Sequence, residues 1–199
     1  MNRPQLTIAS GNSKKVAEIE AMLGPLPLEI RRQPSSLKVE ETGSTYLENA
    51  LLKAKSAAMT TNSWAIADDS GMEVDALNGS PGIFSARFAK TNDQKIKKLL
   101  DLLGETPYRS ARFHSLMVLC DPKGNSIKHA EGICWGEVLK KPAYQGGEFE
   151  SIFWIRETKC VYGQLSHEQL TKLGSRAKAA RVLAPYLIKE LGIKPLKAN

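Results

Sequence analysis

An α/β fold built on a mixed sheet is predicted for this chain by three observations. Short strand-like runs alternate with helical patterns in the first half, a clear amphipathic helix follows, and two longer strand-like runs then flank a turn. Gln5 to Ser10 reads as a short buried strand. Lys15 to Leu23 carries Val16, Ile19, Met22 and Leu23 on one stripe with Gly24 closing it, the period of a helix. The segment from Ser10 to Lys15 is therefore a strand-to-helix turn. A second helix fits Thr45 to Met59, with Leu47, Ala50, Leu51, Ala54 and Ala58 apolar and with Asn49 and Lys53 sharing another face.

Trp64 to Ala67 reads as a strand, and Asp68 to Gly71 as the turn at its carboxyl end. Gly79-Ser80-Pro81-Gly82 marks a loop that leads to Ser85-Ala86-Arg87. Asp93 to Leu103 turns Ile96, Leu99, Leu100 and Leu103 inward and ends at Gly104. Ala111 to Cys120 and Ile127 to Leu139 make a hairpin through Asp121-Pro122-Lys123-Gly124-Asn125. Tyr144 to Glu150 is a loop before the apolar Ile152-Phe153-Trp154-Ile155. Ser166 with Gln169 resembles a capping box that opens a helical C-terminal region, which Pro185 is expected to kink or interrupt.

With 199 residues, 42% hydrophobic and 25% charged, the chain suits one globular domain with a substantial core and room for a smaller lobe. Met1-Asn2-Arg3-Pro4 lacks the apolar run of a signal peptide, and no stretch reaches membrane-spanning length. The expectation is a soluble cytoplasmic protein with no membrane partner. Cys120, Cys134 and Cys160 are too few and too widely spaced for a zinc site, and His114, His129 and His167 make no ligand spacing. A net charge of +7 favours polyanions, either nucleic acid or a small phosphorylated ligand, or is simply a solvated basic surface. No basic run is interleaved with aromatics as a single-strand binder would have it, so no nucleic-acid partner is expected.

Chemistry concentrates in three segments. In Ser10-Gly11-Asn12-Ser13-Lys14-Lys15, main-chain N–H groups at a helix start favour an anion, and Lys14 or Lys15 can neutralise a phosphate. The spacing is not that of a Walker A loop, and an ordinary polar capping loop would look alike. Glu40, Glu41, Asp68 and Asp69 offer oxygen ligands for Mg²⁺, and a carboxylate there can also take a proton from an attacking water. The alternative is that Asp68 caps a turn while both glutamates are solvated. Lys53 and Arg87 are candidate clamps on the outer phosphates, or surface charges. Downstream, Phe149-Glu150 offers a stacking surface and an acceptor, and Ser175-Arg176 offers donors that favour a keto purine. The competing reading makes Phe149 core and Arg176 a helix surface residue.

In order, the chain shows Ser-Gly-Asn-x-x-Lys, Glu-Glu-Thr-Gly, Glu-Asn-Ala-x-x-Lys-Ala, Ala-Asp-Asp-Ser-Gly, Gly-x-Pro-Gly-Ile-Phe-Ser-Ala-Arg-Phe and Ala-Arg-Phe. This series resembles the inosine/xanthosine triphosphate pyrophosphatases, which clear non-standard purines from the nucleotide pool. The likeness implies an elongated two-lobed α/β fold, one pyrophosphatase domain over the whole chain, and a homodimer. It implies Mg²⁺-dependent hydrolysis of a nucleoside triphosphate to monophosphate and pyrophosphate. By the same likeness Asp69 binds metal and accepts the proton, and Glu41 helps hold the metal; the carboxylate reading adds Asp68 as a metal ligand. Ser10 to Lys15, Lys53 and Ser70 meet the phosphates.

At the base-recognition end the chain departs from the family. The usual Gly-Phe-Gly-Tyr-Asp-Pro-Ile-Phe is Gly146-Gly147-Glu148-Phe149-Glu150-Ser151-Ile152-Phe153 here, and the usual Ser-His-Arg is Gly174-Ser175-Arg176. A lysine common upstream falls at Leu170, with Lys172 as a possible substitute. Three functions stay open: a pyrophosphatase of ITP, dITP and XTP, one of altered base choice, and a binding protein for nucleotide or nucleic acid whose chemistry has decayed.

Overall fold

The computed structural model describes residues 3–193. Its seven strands are β1 (Gln5–Ile8), β2 (Glu29–Arg32), β3 (Trp64–Val74), β4 (Ser110–Cys120), β5 (Ser126–Val138), β6 (Phe153–Ile155) and β7 (Cys160–Val161). They follow the order β2-β1-β3-β4-β5-β6-β7. The pairings β1/β2 and β1/β3 are parallel, whereas β5/β6 and β6/β7 are antiparallel, so the sheet is mixed. Five helices flank it: α1 (Ser13–Leu23), α2 (Tyr46–Thr61), α3 (Asn92–Leu103), α4 (His167–Leu173) and α5 (Ser175–Glu190).

Two compact units divide the chain. The first holds the residues up to Asp69, Ser115–Gly132 and those from Arg176 on; the second holds Ser70–His114 and Ile133–Ser175. In the first unit Leu6 and Ile8 of β1, Ile66 of β3 and Met117 and Leu119 of β4 pack with Val16, Ile19 and Leu23 of α1 and with Ala179, Leu183 and Leu187 of α5. In the second, Met72 and Val74 of β3 pack with Ile96, Leu99 and Leu103 of α3, and with Phe149, Ile152 and Phe153.

Sequence and structure agree on most elements and differ on four. Strand β3 does not end at Ala67; it runs through Asp68, Asp69, Ser70 and Gly71 to Val74, so the expected turn is absent. Both aspartates are buried in the strand, and cations meet their carboxylates. Strand β2 was not expected; it is an edge strand with Ile30 as its one apolar residue. The capping box of Ser166 and Gln169 forms, but the region it opens is two helices separated at Gly174. Helix α5 then continues past Pro185 without interruption.

Candidate active site

Along β3 the run Ala65, Ile66 and Ala67 is fully buried, and burial continues into Asp68 and Asp69, 1% and 5% exposed. Carboxylates are tolerated at such depth only when charge and hydrogen bonds meet them. Successive strand residues face opposite sides, so the two aspartates find different partners. Asp68 Oδ2 lies 3.0 Å from Lys15 Nζ on α1 and 3.2 Å from Arg176 Nε at the start of α5. Asp69 instead meets helix α2: Lys53 Nζ donates to its Oδ1 at 3.0 Å and Asn49 Nδ2 to its Oδ2 at 3.3 Å.

Asn49 and Lys53 stand one helical turn apart, which brings both to the same strand residue. The Lys53 ammonium donates at once to Glu41 Oε1 (2.8 Å), the Asp68 carbonyl (2.9 Å) and Asp69 Oδ1. Asn49, fully buried, accepts the Gly43 N–H at 2.8 Å through its own Oδ1, and so ties the loop bearing Glu41 to the Asp69 carboxylate. Gly43 is required there by closeness: an added Cβ would stand 2.6 Å from Glu48 Cβ and 2.7 Å from Asn49 Oδ1. Glu48 is used locally, its carboxylate accepting the Ser44 N–H and hydroxyl while Thr45 caps α2. Of the pair Glu40-Glu41, Glu40 faces solvent and only Glu41 turns toward Lys53.

The field in this cluster is strongly differentiated. Burial opposes ionisation of Asp68, yet Arg176, Lys15 and Lys53 together hold its carboxyl well below the usual range. Burial pushes the Asp69 carboxyl up, and Lys53 offsets only part of the rise. Burial also works against the Lys53 charge, but the Asp69 and Glu41 carboxylates outweigh it and raise its proton affinity. Two carboxylates and one carbonyl thus converge on a single cationic position. Hard divalent ions take such oxygens, and Mg²⁺ ordinarily takes one or two carboxylates from protein and the rest from water and phosphate. Glu41, Asp69 and the Asp68 carbonyl supply oxygens of that kind.

Beside it lies the Ser10–Lys15 segment. Asn12 is the N-cap of α1, its Oδ1 accepting from the Lys14 and Lys15 N–H groups at 3.0 and 3.2 Å, while its own N–H donates to Ser10 Oγ. A Cβ placed on Gly11 would meet nothing within 4 Å, so no packing within the chain requires that glycine. Lys14 and Ser13 face solvent, and Lys15 turns inward to Asp68.

Each remaining sequence candidate is described by the unit that holds it. Ser70, Arg87, Phe149, Glu150, Lys172 and Ser175 belong to the second unit. Phe149, expected to offer a stacking face, is 3% exposed and packs into the second core, its ring centroid 6.1 Å from that of Phe88. Arg87 is exposed above the Phe84 ring, Lys172 is exposed and paired with Glu168, and Glu150 is half-buried. Arg176, read from sequence as a donor to a purine, is buried between Glu18 and Asp68. Sequence reasoning missed Glu18 altogether and saw Asn49 only as a face-mate of Lys53.

Fold and site together define an α/β protein in which two carboxylates and a main-chain carbonyl converge on Lys53, in the same unit as the N-capped Ser10–Lys15 turn. The chain belongs to the Ham1 family, whose model matches residues 6–186. It is 38% identical over 196 residues to the dITP/XTP pyrophosphatase of Synechococcus sp. (strain CC9311), covering 98% of this chain and 95% of that one. It is 41% identical over 183 residues to that of Nostoc sp. (strain PCC 7120), covering 92% and 93%. Among solved structures, the Staphylococcus aureus Ham1 protein superposes with a TM-score of 0.81 at 35% identity, over 94% of this chain and 99% of that one. A HAM1 protein from Coxiella burnetii gives 0.83 at 32% identity, again over 94% and 99%.

Proposed function

We propose that this chain hydrolyses non-standard purine nucleoside triphosphates (ITP, dITP and XTP) to the monophosphate and pyrophosphate, clearing them from the nucleotide pool. Membership of the Ham1 family and relatives named dITP/XTP pyrophosphatase support that reaction class. The observation that carries the site is the convergence of Glu41, Asp69 and the Asp68 carbonyl on Lys53. Glu41, Asp69 and, through its main chain, Asp68 are the residues that would hold Mg²⁺, which supplies positive charge against the phosphates.

Asp69 acts as general base, taking a proton from the water that attacks the α-phosphorus. The bond from that phosphorus to its bridging oxygen breaks, and pyrophosphate leaves with the electron pair. The Asp69 carboxylate stands beside the Lys53 position on which Glu41 and the Asp68 carbonyl also converge, which suits the role. Lys53 stays charged and positions Asp69 and Glu41. Lys15, Lys14 and the main chain of Ser10, Gly11, Asn12 and Ser13 meet the remaining phosphate charge.

Purified protein incubated with ITP, XTP, GTP and ATP, with and without Mg²⁺, tests this reading by the identity and rate of the phosphate product. Pyrophosphate from ITP and XTP far ahead of ATP is expected, and Mg²⁺-independent release or orthophosphate alone would overturn it. A second reading, the same chemistry with relaxed base choice, is favoured by the burial of Phe149 and the engagement of Arg176 with two carboxylates. Comparable kcat/KM across all four nucleotides would select it. The family resemblance further supports a cytoplasmic homodimer, which light scattering of the full chain tests.

A further inference from the structure

The two carboxylates that converge on Lys53 come from separate stretches of the first unit, Glu41 from the loop before α2 and Asp69 from β3. Lys53 joins them through the atoms that face the cation position itself. Asn49, one turn earlier on α2, joins the same two stretches from outside that position. Its side chain is fully buried, and its amide can lie only one way. The Gly43 N–H can only donate, so the Asn49 atom 2.8 Å from it is the carbonyl oxygen, Oδ1, and Nδ2 therefore faces Asp69 Oδ2 at 3.3 Å. The helix that carries it is a firm base: Ala50, Ala54, Ala57 and Ala58 are fully buried, small side chains that let α2 lie close to its neighbours.

Carboxylates whose direction is fixed beforehand bind an ion more tightly, because no ordering remains to be done on binding. Asp69 turns Oδ1 to the cation position and keeps Oδ2 on the Asn49 amide, so that amide decides which oxygen is offered. On its other side Asn49 holds Gly43, two residues beyond Glu41. There the chain comes so close that a Cβ on Gly43 would stand 2.7 Å from Asn49 Oδ1. One side chain thus fixes the direction of one carboxylate and the place of the loop that bears the other. We propose that Asn49 is a positioning residue for a divalent ion: it keeps Glu41 and Asp69 arranged so that one ion can take an oxygen from each, without being a ligand itself. The inference rests on the reading above in which Glu41 and Asp69 hold Mg²⁺, and it names a determinant of ion affinity.

Calorimetric binding of Mn²⁺ to the full chain without nucleotide tests it, beside the Mg²⁺ dependence of ITP hydrolysis. Loss of the Mn²⁺ signal in Asp69→Asn assigns the bound ion to this site. Asn49→Ala should weaken Mn²⁺ binding about 10-fold or more and raise the Mg²⁺ concentration for half-maximal hydrolysis alike, with kcat at saturating Mg²⁺ within about threefold. Asn49→Gln, which keeps both groups on a longer stem, should recover part of the loss. In a Gly43→Ala background, where the loop is already displaced, Asn49→Ala should cost markedly less ion affinity than in wild type. A merely structural role would lower the melting temperature and leave Mn²⁺ affinity unchanged; that result, or losses that simply multiply in the double variant, would overturn the proposal. Should Asn49→Ala fail to fold, Asn49→Ser fills more of the space but cannot span from Gly43 to Asp69, and should show the same ion-selective loss. Wild-type protein that binds Mn²⁺ here but makes no pyrophosphate sinks the functional reading and leaves the inference standing. Wild-type protein that binds no Mn²⁺ at this site sinks the inference, and normal turnover with unchanged Mn²⁺ affinity in Asn49→Ala sinks it alone.

Discussion

Asp69 and Asp68 are neighbours in sequence and opposites in chemistry. Asp68 is locked between two cations and kept ionised, whereas Asp69 is buried beside Lys53 and has its proton affinity raised. Only the Asp69 carboxylate shares the Lys53 position with Glu41, where the proposed chemistry takes place. Asp69→Asn should therefore lower kcat by about 10²–10⁴-fold with a smaller change in KM, read from initial rates on ITP; near-wild-type turnover removes Asp69 from the role. Lys53→Met leaves the Glu41 and Asp69 carboxylates without their shared cation, and kcat/KM should fall by at least about 10²-fold. The carboxylates and Lys53 were legible in the sequence because acids at the end of an apolar run need an explanation. Glu18 was not legible, since a glutamate on an amphipathic helix reads as solvated and its partner lies far along the chain. Neither could sequence choose between Lys14 and Lys15; successive helical residues point about 100° apart, and Lys15 is the one that reaches Asp68.

The elements succeed or fail as predictions according to how much of their pattern is local. Helices α1, α2 and α3 were readable from 3.6-residue periodicity, and their caps at Asn12, Thr45 and Thr91 fall where short polar side chains precede each apolar stripe. Strand β2 was not, because an edge strand with one apolar residue has no internal signature. The extension of β3 through Asp68-Asp69-Ser70-Gly71 was hidden for a different reason: two acids and a glycine resemble a turn unless the distant Lys15, Lys53 and Arg176 are known to be there. The loop before α2 is tightly constrained at Gly43. Gly43→Ala should force Glu48 and Asn49 apart, costing about 1–3 kcal/mol of stability, and should move Glu41 off Lys53. A lower melting temperature with a raised Mg²⁺ requirement is the expected pair of effects, and wild-type values for both would show that the loop yields freely.

At the scale of the whole molecule, 28 Lys and Arg oppose 21 Asp and Glu, so acid only increases an existing positive excess. What protects the fold is the carboxylates that resist protonation. Glu73 on β3 is held by Arg112 at 2.7 Å and His114 at 3.1 Å, both on β4, and its carboxyl is lowered from 4.5 to about 2, chiefly by the His114 hydrogen bond against the opposing effect of burial. A group depressed in the folded state contributes stability that is complete above its unfolded value and is lost as pH falls through its folded one. Glu73 therefore supports the second unit fully above about pH 4.5, and that support drains away between there and about pH 2. Asp68 works in the same direction in the first unit at still lower pH, while Asp69, shifted upward, works against folding once ionised. Glu73→Gln should cost about 2 kcal/mol at pH 7 and almost nothing near pH 2, so urea curves of variant and wild type should converge as pH falls. A constant gap from pH 7 to pH 2 would mean that the substitution disturbs packing alone and that the Glu73 charge carries none of the acid resistance.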